Sequence, residues 1–296
     1  MTTFKYWIQA ARLRTLPLSV SGVMLGAALA EEAFYNTALF WLAIATTIGF
    51  QIVSNFANDY GDGIRGTDAA RTGEARMVAS GHITAKAMKR GMILMSVLSF
   101  FSATLLIFSV FGIRQILWAF VFFNLTLLAL WAAIRYTVGE KAYGYSGFGD
   151  VFVFVFFGLI SVGGTFLLFT QSFDPSILLP AYSIGVFSVA VLNLNNLRDA
   201  AQDQSAGKRT LVVKWGAASG KKYQYFLLIS GMVSAIVFAV MRHAETVQWM
   251  FVLAFIPLLV HLKTVLLNQE LSALDGELKK VAMSTFLFSL LMALFL

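Results

Sequence analysis

Three aspartates stand close together at the end of an apolar run, in the stretch "SNFANDYGDGIRGTD" at residues 54–68. Charged side chains are costly at the edge of a lipid phase, so such a group is expected to bind something. Asn55, Asp59 and Asp62 are spaced at i, i+4 and i+7. On a helix this spacing places an amide oxygen and two carboxylates along one stripe, which could hold a cation.

A second group of the same kind follows a later apolar run, in "LNLNNLRDAAQDQSAGKRT" at residues 192–210. Here Asn195, Asp199 and Asp203 fall at i, i+4 and i+8, again on one helical stripe. The chain crosses the predicted membrane four times between the two groups, and an even number of crossings brings both to the same side. We therefore predict that the two stripes form one site.

The side-chain types of this site indicate a magnesium–diphosphate complex. Oxygen-only donor sets suit hard cations, and Mg²⁺ is commonly held by a few carboxylates while phosphate oxygens and water complete its octahedron. The chain has no cysteine and three histidines, none of them spaced for zinc. Bases that bind anion oxygens beside acids that bind metal are typical of phosphate sites. The bases that flank these acids are Arg65, Arg71, Arg76, Arg198, Lys208 and Arg209, and for Arg71, as for Asp68, a solvated loop position is the favoured interpretation.

These stripes must be positioned by a chain that is 58% hydrophobic and 12% charged, which is too apolar for a soluble domain of its length. Apolar runs of about 20 residues, enough to cross a hydrocarbon core of roughly 30 Å, recur along the whole sequence. Because backbone groups in lipid must be satisfied within each segment, every span should be a helix. We predict one all-α membrane domain over residues 1–296 with nine transmembrane helices. The predicted spans are 15–34, 38–58, 88–110, 115–134, 149–170, 176–197, 223–241, 247–267 and 278–296.

The distribution of basic residues predicts the orientation. All of the 22 Lys and Arg except Arg114 and Arg242 fall on one side of the predicted membrane. By the positive-inside rule that side is cytoplasmic, which places the N-terminus and the acidic site toward the cytoplasm in a multi-pass protein of the cell (inner) membrane. The net charge of +7 is largely this bias, so it gives no indication of nucleic-acid binding.

In these residues and in the stretches around them, the chain resembles the UbiA superfamily of intramembrane aromatic prenyltransferases over essentially its full length. The resemblance implies nine helices around a central cavity and two Asp-rich motifs that bind Mg²⁺ and the diphosphate of a polyprenyl donor. It maps the first motif onto Asn55, Asp59 and Asp62 and the second onto Asp199 and Asp203, so that the four aspartates are the expected metal ligands. The last position of the first motif is Gly66 here, with Asp68 two residues later. The stretches that carry the resemblance are "RLRTLP" at 12–17, "NDYGDGIRGTD" at 58–68, "YTVGEKAYGYSGFGDVFVFVFFG" at 136–158 and "NNLRDAAQDQSAGKRT" at 195–210.

Within the superfamily the pattern is most similar to the menaquinone-pathway branch, which prenylates 1,4-dihydroxy-2-naphthoate with loss of carbon dioxide; that branch usually has Pro where Glu74 stands here. An allylic cation is implied, and aromatic faces can stabilise it. We predict this role for Tyr136, at the end of the fourth span, and expect the Phe residues of "VFVFVFF" at 151–157 to face lipid or pack. The acceptor carboxylate needs a cation, either Arg14 or Lys141. The expected diphosphate-binding side chains are those of Asn55, Asn195, Arg65, Arg76, Lys208 and Arg209.

Two alternatives stay open at this point. Other acceptors, namely 4-hydroxybenzoate, homogentisate or heme, would keep the same metal motifs. A transporter could instead bind its ion on the acidic stripes. Transporters usually place such groups near the bilayer midplane on broken helices, whereas these stripes sit at helix ends, which favours the enzyme.

Overall fold

The computed structural model describes residues 2–30, 33–67 and 75–295, and within these ranges it contains helices joined by turns, without any strand. Eight of the helices, α3 to α7 and α10 to α12, are long and apolar enough to cross a membrane. The all-helical, multi-pass architecture predicted from the sequence is thereby confirmed. In chain order the helices are α1 (Thr2–Ala11), α2 (Leu16–Ala28), α3 (Ala38–Arg65), α4 (Ala85–Phe111), α5 (Ile116–Arg135), α6 (Gly149–Thr170), α7 (Pro175–Arg198), α8 (Ala200–Ser205), α9 (Leu211–Trp215), α10 (Ala217–Met241), α11 (Thr246–Leu267) and α12 (Leu271–Phe295).

The first predicted span accounts for the difference between eight helices and nine. It forms α2, which has 13 residues and is therefore about 20 Å long, less than a hydrocarbon core. Two glycines of α2 press against α6. A Cβ on Gly26 would lie 2.3 Å from the carbonyl oxygen of Val162, and one on Gly22 would lie 2.4 Å from Oγ of Ser161. This close packing is what the small-xxx-small spacing of the two glycines predicts.

Helix α3 carries the first acidic stripe past the membrane surface. It begins at a cap in which the hydroxyl of Thr37 accepts the N–H of Phe40. It ends 28 residues later at Gly66, whose φ of 73° lies in the left-handed region that favours glycine. Because about 20 residues suffice to span the hydrocarbon core, the last two turns, with Asp62, extend to the membrane surface.

The second stripe lies where α7 gives way to α8. Asp199 stands between the two helices, with φ −93° and ψ 7°, outside regular helical geometry. Asp203 then lies one turn into the short helix α8. Helical backbone hydrogen bonds continue across this junction, because the N–H of Asp199 donates to the carbonyl of Asn195 at 3.0 Å and the N–H of Asp203 donates to that of Asp199 at 2.8 Å.

Apolar cores hold the helices together. In the largest, among α7, α10, α11 and α12, the ring of Phe288 packs edge-to-face on Phe187 and Phe251, with centroids 5.6 and 5.8 Å apart. A second core joins α2, α3, α4 and α5, and a third joins α1 to α3 and α4. Large apolar side chains such as Phe101 and Leu117 point outward, 64% and 73% exposed, as lipid-facing residues do.

Candidate functional site

A cavity of about 580 Å³ lies at the centre of the helices α2 to α7 and α12. Apolar side chains form most of its wall within the membrane, among them Leu18, Val23, Leu106, Phe122 and Leu168. Its other end is polar and lies where α3 and α7 end. The cavity therefore joins a charged mouth to an apolar body.

Acids from the two stripes meet at the polar end. Asp62 of α3 and Asp203 of α8 are both buried, and both carboxylates approach one ammonium group. Nζ of Lys208 lies 3.6 Å from Oδ1 of Asp62 and 3.6 Å from Oδ1 of Asp203. Asp199 lines the same cavity. Three of the four predicted metal ligands thus border one chamber.

Tyr145 connects the loop after α5 to this group. Its hydroxyl donates to Oδ1 of Asp62 at 2.7 Å. The guanidinium of Arg65 lies 4.2 Å from the centre of its ring, and Nζ of Lys208 lies 4.9 Å from it. Burial and the neighbouring Asp62 raise the pKa of Tyr145, which keeps the phenol protonated as a donor.

Asp203 is electrostatically unusual. Burial is the main cause that raises its pKa to about 6, and the nearby carboxylates of Asp199 and Asp62 raise it further, while Lys208 partly offsets them. Repulsion from Asp199 and Asp62 disfavours the charged form of the Asp203 carboxylate, and a cation bound beside it would favour that form.

Asp59, the fourth predicted metal ligand, is placed differently. Its Oδ2 accepts the backbone N–H of Met77 and its Oδ1 that of Val78, both at 2.9 Å. It does not line the cavity. The carboxylate holds the loop before α4 against α3, and its role as a metal ligand stays a prediction.

Asn58, which the sequence alone did not indicate as a site residue, lines the cavity where Asp59 does not. Its Oδ1 accepts a hydrogen bond from the hydroxyl of Thr137 at 3.2 Å. At 3.6 residues per turn, Asn58 is about 40° from Asp62 around the helix, while Asp59 is about 60° away on the other side. The angle of Asn58 around the helix relative to Asp62 could therefore have identified it from the sequence as a cavity residue. Asn55 also lines the cavity, but its amide nitrogen donates to the carbonyl of Ala11 at 2.8 Å.

The predicted cations divide into two groups. Arg14, Arg76 and Lys208 line the cavity, and an NH2 atom of Arg76 lies 3.8 Å from Oδ2 of Asp62. Lys141 and Arg209 are exposed and do not line it. The guanidinium of Arg65 lies over the ring of Tyr145 and donates to the carbonyl of Gly139. Asp68, Arg71 and Glu74 lie outside the described residues.

Aromatic rings form the wall next to the polar end. Tyr136 follows the last residue of α5 and lines the cavity, as do Tyr143, Phe152 and Phe156. The ring of Tyr143 meets Tyr136 edge-on at 5.4 Å and stacks on Phe152 at 4.0 Å. Phe157 also lines the cavity, so the expectation that "VFVFVFF" only faces lipid or packs is wrong for Phe152, Phe156 and Phe157.

The donor set fits a metal–diphosphate complex better than a metal held by protein alone. Within the described residues, no three Asp, Glu, His or Cys side chains are clustered tightly enough to hold a metal ion by themselves. Asp62, Asp199 and Asp203 instead line one cavity, together with Asn58 and Asn195. Mg²⁺ commonly takes one or two carboxylates and fills its octahedron from substrate phosphate and water.

The helical fold is shared with solved structures. A UbiA homologue from Archaeoglobus fulgidus bound to GPP and Mg2+ superposes with a TM-score of 0.65 at 12% identity, covering 97% of this chain and 99% of that one. Digeranylgeranylglyceryl phosphate synthase gives a TM-score of 0.64 at 14% identity over the whole of both chains. These two likenesses show a shared helical fold over almost the whole chain.

The chain belongs to the UbiA prenyltransferase family, whose model matches residues 19–291. It is 43% identical to the 1,4-dihydroxy-2-naphthoate octaprenyltransferase of Haemophilus influenzae, over 98% of this chain and 95% of that protein. It is 36% identical to the enzyme of the same name from Escherichia coli, over 97% and 94%. The predicted family and the prenyltransferase class are thereby confirmed.

Proposed function

We propose that this enzyme transfers a polyprenyl group from polyprenyl diphosphate to 1,4-dihydroxy-2-naphthoate, with loss of carbon dioxide and diphosphate, in a Mg²⁺-dependent reaction that gives demethylmenaquinol. The observation that carries the proposal is the meeting of Asp62, Asp199 and Asp203 at the mouth of an aromatic-walled membrane cavity. The names of relatives up to 43% identical support the acceptor. The GPP and Mg2+ bound to a structural neighbour support the donor and the metal.

The polar mouth is the proposed diphosphate site. Lys208 and Arg76 are the cations that would bind the phosphate oxygens, since both border the cavity beside Asp62. Bound Mg²⁺, held by Asp62, Asp199 and Asp203, would neutralise the negative charge that develops on the diphosphate as the allylic carbon–oxygen bond breaks. The lysine and the arginine supply positive charge for the same oxygens.

The aromatic wall is the proposed site of the allylic cation. Tyr136, Tyr143 and Phe152 all line the cavity, and aromatic faces attract a cation. Burial raises the pKa of Tyr136 and of Tyr143, so both stay neutral phenols. The apolar walls exclude the water that would quench the cation. They also bury the isoprenoid tail, which would be unfavourable in water at roughly 25 cal/mol per Å².

The acceptor would enter beside Arg14. Arg14 borders the cavity, whereas Lys141 does not, so we favour Arg14 as the partner of the naphthoate carboxylate. In this pose a ring carbon of the acceptor forms its bond to the allylic carbon as diphosphate leaves, and the carboxylate departs as carbon dioxide.

One reconstitution tests the proposal. The purified protein is incubated with Mg²⁺, octaprenyl diphosphate and 1,4-dihydroxy-2-naphthoate, and products are read by mass spectrometry. We expect a prenylated, decarboxylated product with one diphosphate released for each product, and no product after chelation of the metal. Parallel reactions with 4-hydroxybenzoate and homogentisate test the other acceptors. Ion flux in proteoliposomes, with no product from any acceptor, would overturn the enzyme assignment.

A further inference from the structure

Arg198 is a buried cation at the mouth of the cavity that makes several hydrogen bonds to side chains. Its side chain is 2% exposed. Nε donates to Oδ1 of Asp199 at 2.6 Å, and NH2 donates to Oδ2 of the same carboxylate at 2.7 Å. NH2 also donates to Oδ1 of Asn195 at 2.7 Å, and NH1 donates to Oδ1 of Asp275 at 2.5 Å.

These bonds leave Arg198 little capacity for a phosphate. A guanidinium has five N–H donors, and four are occupied by Asp199, Asn195 and Asp275. The sequence predicts that Arg198 is an anion-binding base. In the structure its guanidinium instead donates to Asp199 and Asn195 of the second stripe and to Asp275.

We propose that Arg198 is a positioning residue, which orients the Asp199 carboxylate and the Asn195 amide for cation binding, and that Asp275 from α12 holds it in place. This inference rests on the proposed function, because it assigns the cation to the diphosphate site. Asp275 lines the cavity at 49% side-chain exposure and is 77 residues from Arg198 in the chain.

The backbone alone does not fix the direction of the Asp199 carboxylate. The N–H of Asp199 still donates to the carbonyl of Asn195 at 3.0 Å, but the residue lies between α7 and α8 with φ −93° and ψ 7°, and the orientation of its side chain depends on the partners of the carboxylate. A bidentate guanidinium–carboxylate pair fixes the plane of the carboxylate as well as its distance. A carboxylate has about four lone-pair sites, so a bidentate guanidinium does not by itself prevent it from binding a metal. Outer partners of this kind typically change metal affinity by about 10–100-fold when removed.

Two opposite effects of Arg198 can be separated by their sign. As a positive charge beside Asp199, the guanidinium repels a divalent cation, so its removal would tighten cation binding if charge were its only effect. As a positioning residue, it aligns the ligands, so its removal weakens cation binding. The proposal requires the second effect to exceed the first.

The experiment measures Mn²⁺ binding to the full-length protein in detergent with inorganic diphosphate present, by electron paramagnetic resonance. We expect Arg198→Gln to weaken Mn²⁺ binding by about tenfold or more, Asp275→Asn to weaken it less, and Arg198→Lys to fall between Arg198→Gln and the parent. Arg242→Gln is the matched control, because Arg242 pairs with Asp174 and lies outside the cavity. We expect its Mn²⁺ affinity to equal that of the parent.

The kinetic counterpart is recovery of activity by metal. Arg198→Gln should need more Mg²⁺ for half-maximal activity yet recover most of its turnover at saturating Mg²⁺, which a merely unstable variant would not do. If Arg198→Gln does not fold, Mn²⁺ binding to Arg198→Lys and Asp275→Asn tests the proposal in its place. Unchanged or tighter Mn²⁺ binding in the folded variants would overturn the proposal. Absence of Mn²⁺ binding in the parent protein would instead overturn the metal-dependent function.

Discussion

Asp59 and Asp62 lie three residues apart on α3, and their carboxylates have different surroundings. Both are buried at 2% exposure, but Asp62 faces the cavity with Lys208 and Tyr145, whereas Asp59 accepts the N–H groups of Met77 and Val78. A buried carboxylate that accepts backbone N–H groups contributes to folding through those bonds. A carboxylate beside substrate charge contributes to turnover.

We therefore expect Asp62→Asn and Asp59→Asn to behave differently. Asp62→Asn should lower turnover by about a hundredfold or more, because it removes a ligand of the proposed Mg²⁺ that would stabilise the leaving group, with the thermal unfolding temperature nearly unchanged. Asp59→Asn should lose about 1–3 kcal/mol of stability, because an amide cannot accept both N–H groups. Steady-state kinetics and thermal unfolding of the two proteins check this. Equal stability loss in both variants would contradict it.

Asp203 predicts a pH dependence. Its pKa is raised to about 6, chiefly by burial, so the proton-bound form dominates below that pH and the carboxylate above it. Since a metal ligand must be deprotonated, the Mg²⁺ concentration for half-maximal activity should rise by up to about tenfold per pH unit below pH 6 and level off above it. Activity titrations with Mg²⁺ at several pH values measure this. A Mg²⁺ requirement that is constant from about pH 5 to about pH 7 would contradict it.

At the scale of the elements, the contact between α2 and α6 depends on a glycine. A Cβ on Gly26 would approach the carbonyl of Val162 to 2.3 Å. Gly26→Ala must therefore push the two helices apart, at a cost of about 1–3 kcal/mol. Thermal unfolding in detergent measures the loss. Gly163→Ala on α6 is the control, because nothing lies within 4 Å of its added Cβ, and an equal loss in that variant would rule out the steric explanation.

Hydropathy predicted the spanning helices because the thickness of the bilayer sets their length, and the spans of α3 to α7 and α10 to α12 were each located. Hydropathy could not show that α2 is a short helix, because an apolar run has the same hydropathy whether it faces lipid or packs against protein. Hydropathy also cannot tell a cavity-facing Phe from a lipid-facing one. The residues Phe154–Gly164 form a π-helix, which adds residues to each turn and shifts the faces that a 3.6-residue period assigns.

The site was predictable where its members are local in sequence. The spacing of Asp199 and Asp203 and the convergence of both stripes on one side followed from the chain alone. Whether Asn58 or Asp59 faces the cavity depends on its angle around the helix relative to Asp62. A spacing of about four residues does not resolve that angle. The partner of Arg198 was not predictable, because Asp275 is 77 residues away on a helix with no motif of its own.

At the scale of the whole molecule, the bias of Lys and Arg predicts that the acidic mouth faces the cytoplasm. The chain has no cysteine, so single cysteines report on sidedness without background. Ser172, between α6 and α7, and Ser205, at the end of α8, are both exposed at opposite ends of the spans. In intact cells a membrane-impermeant maleimide should label the Ser172→Cys variant and should label Ser205→Cys only after permeabilisation. The reverse pattern would invert the proposed orientation.

Helices from both ends of the chain build the wall of the cavity: α2 lies near its start, and α12, with Asp275, lies near its end. A ribosome releases α2 early and α12 last. A nascent polypeptide halted before α12 has Arg198 without Asp275 and a chamber with one side open to lipid. We therefore expect a nascent chain to become competent for prenyl transfer only after α12 has been synthesised.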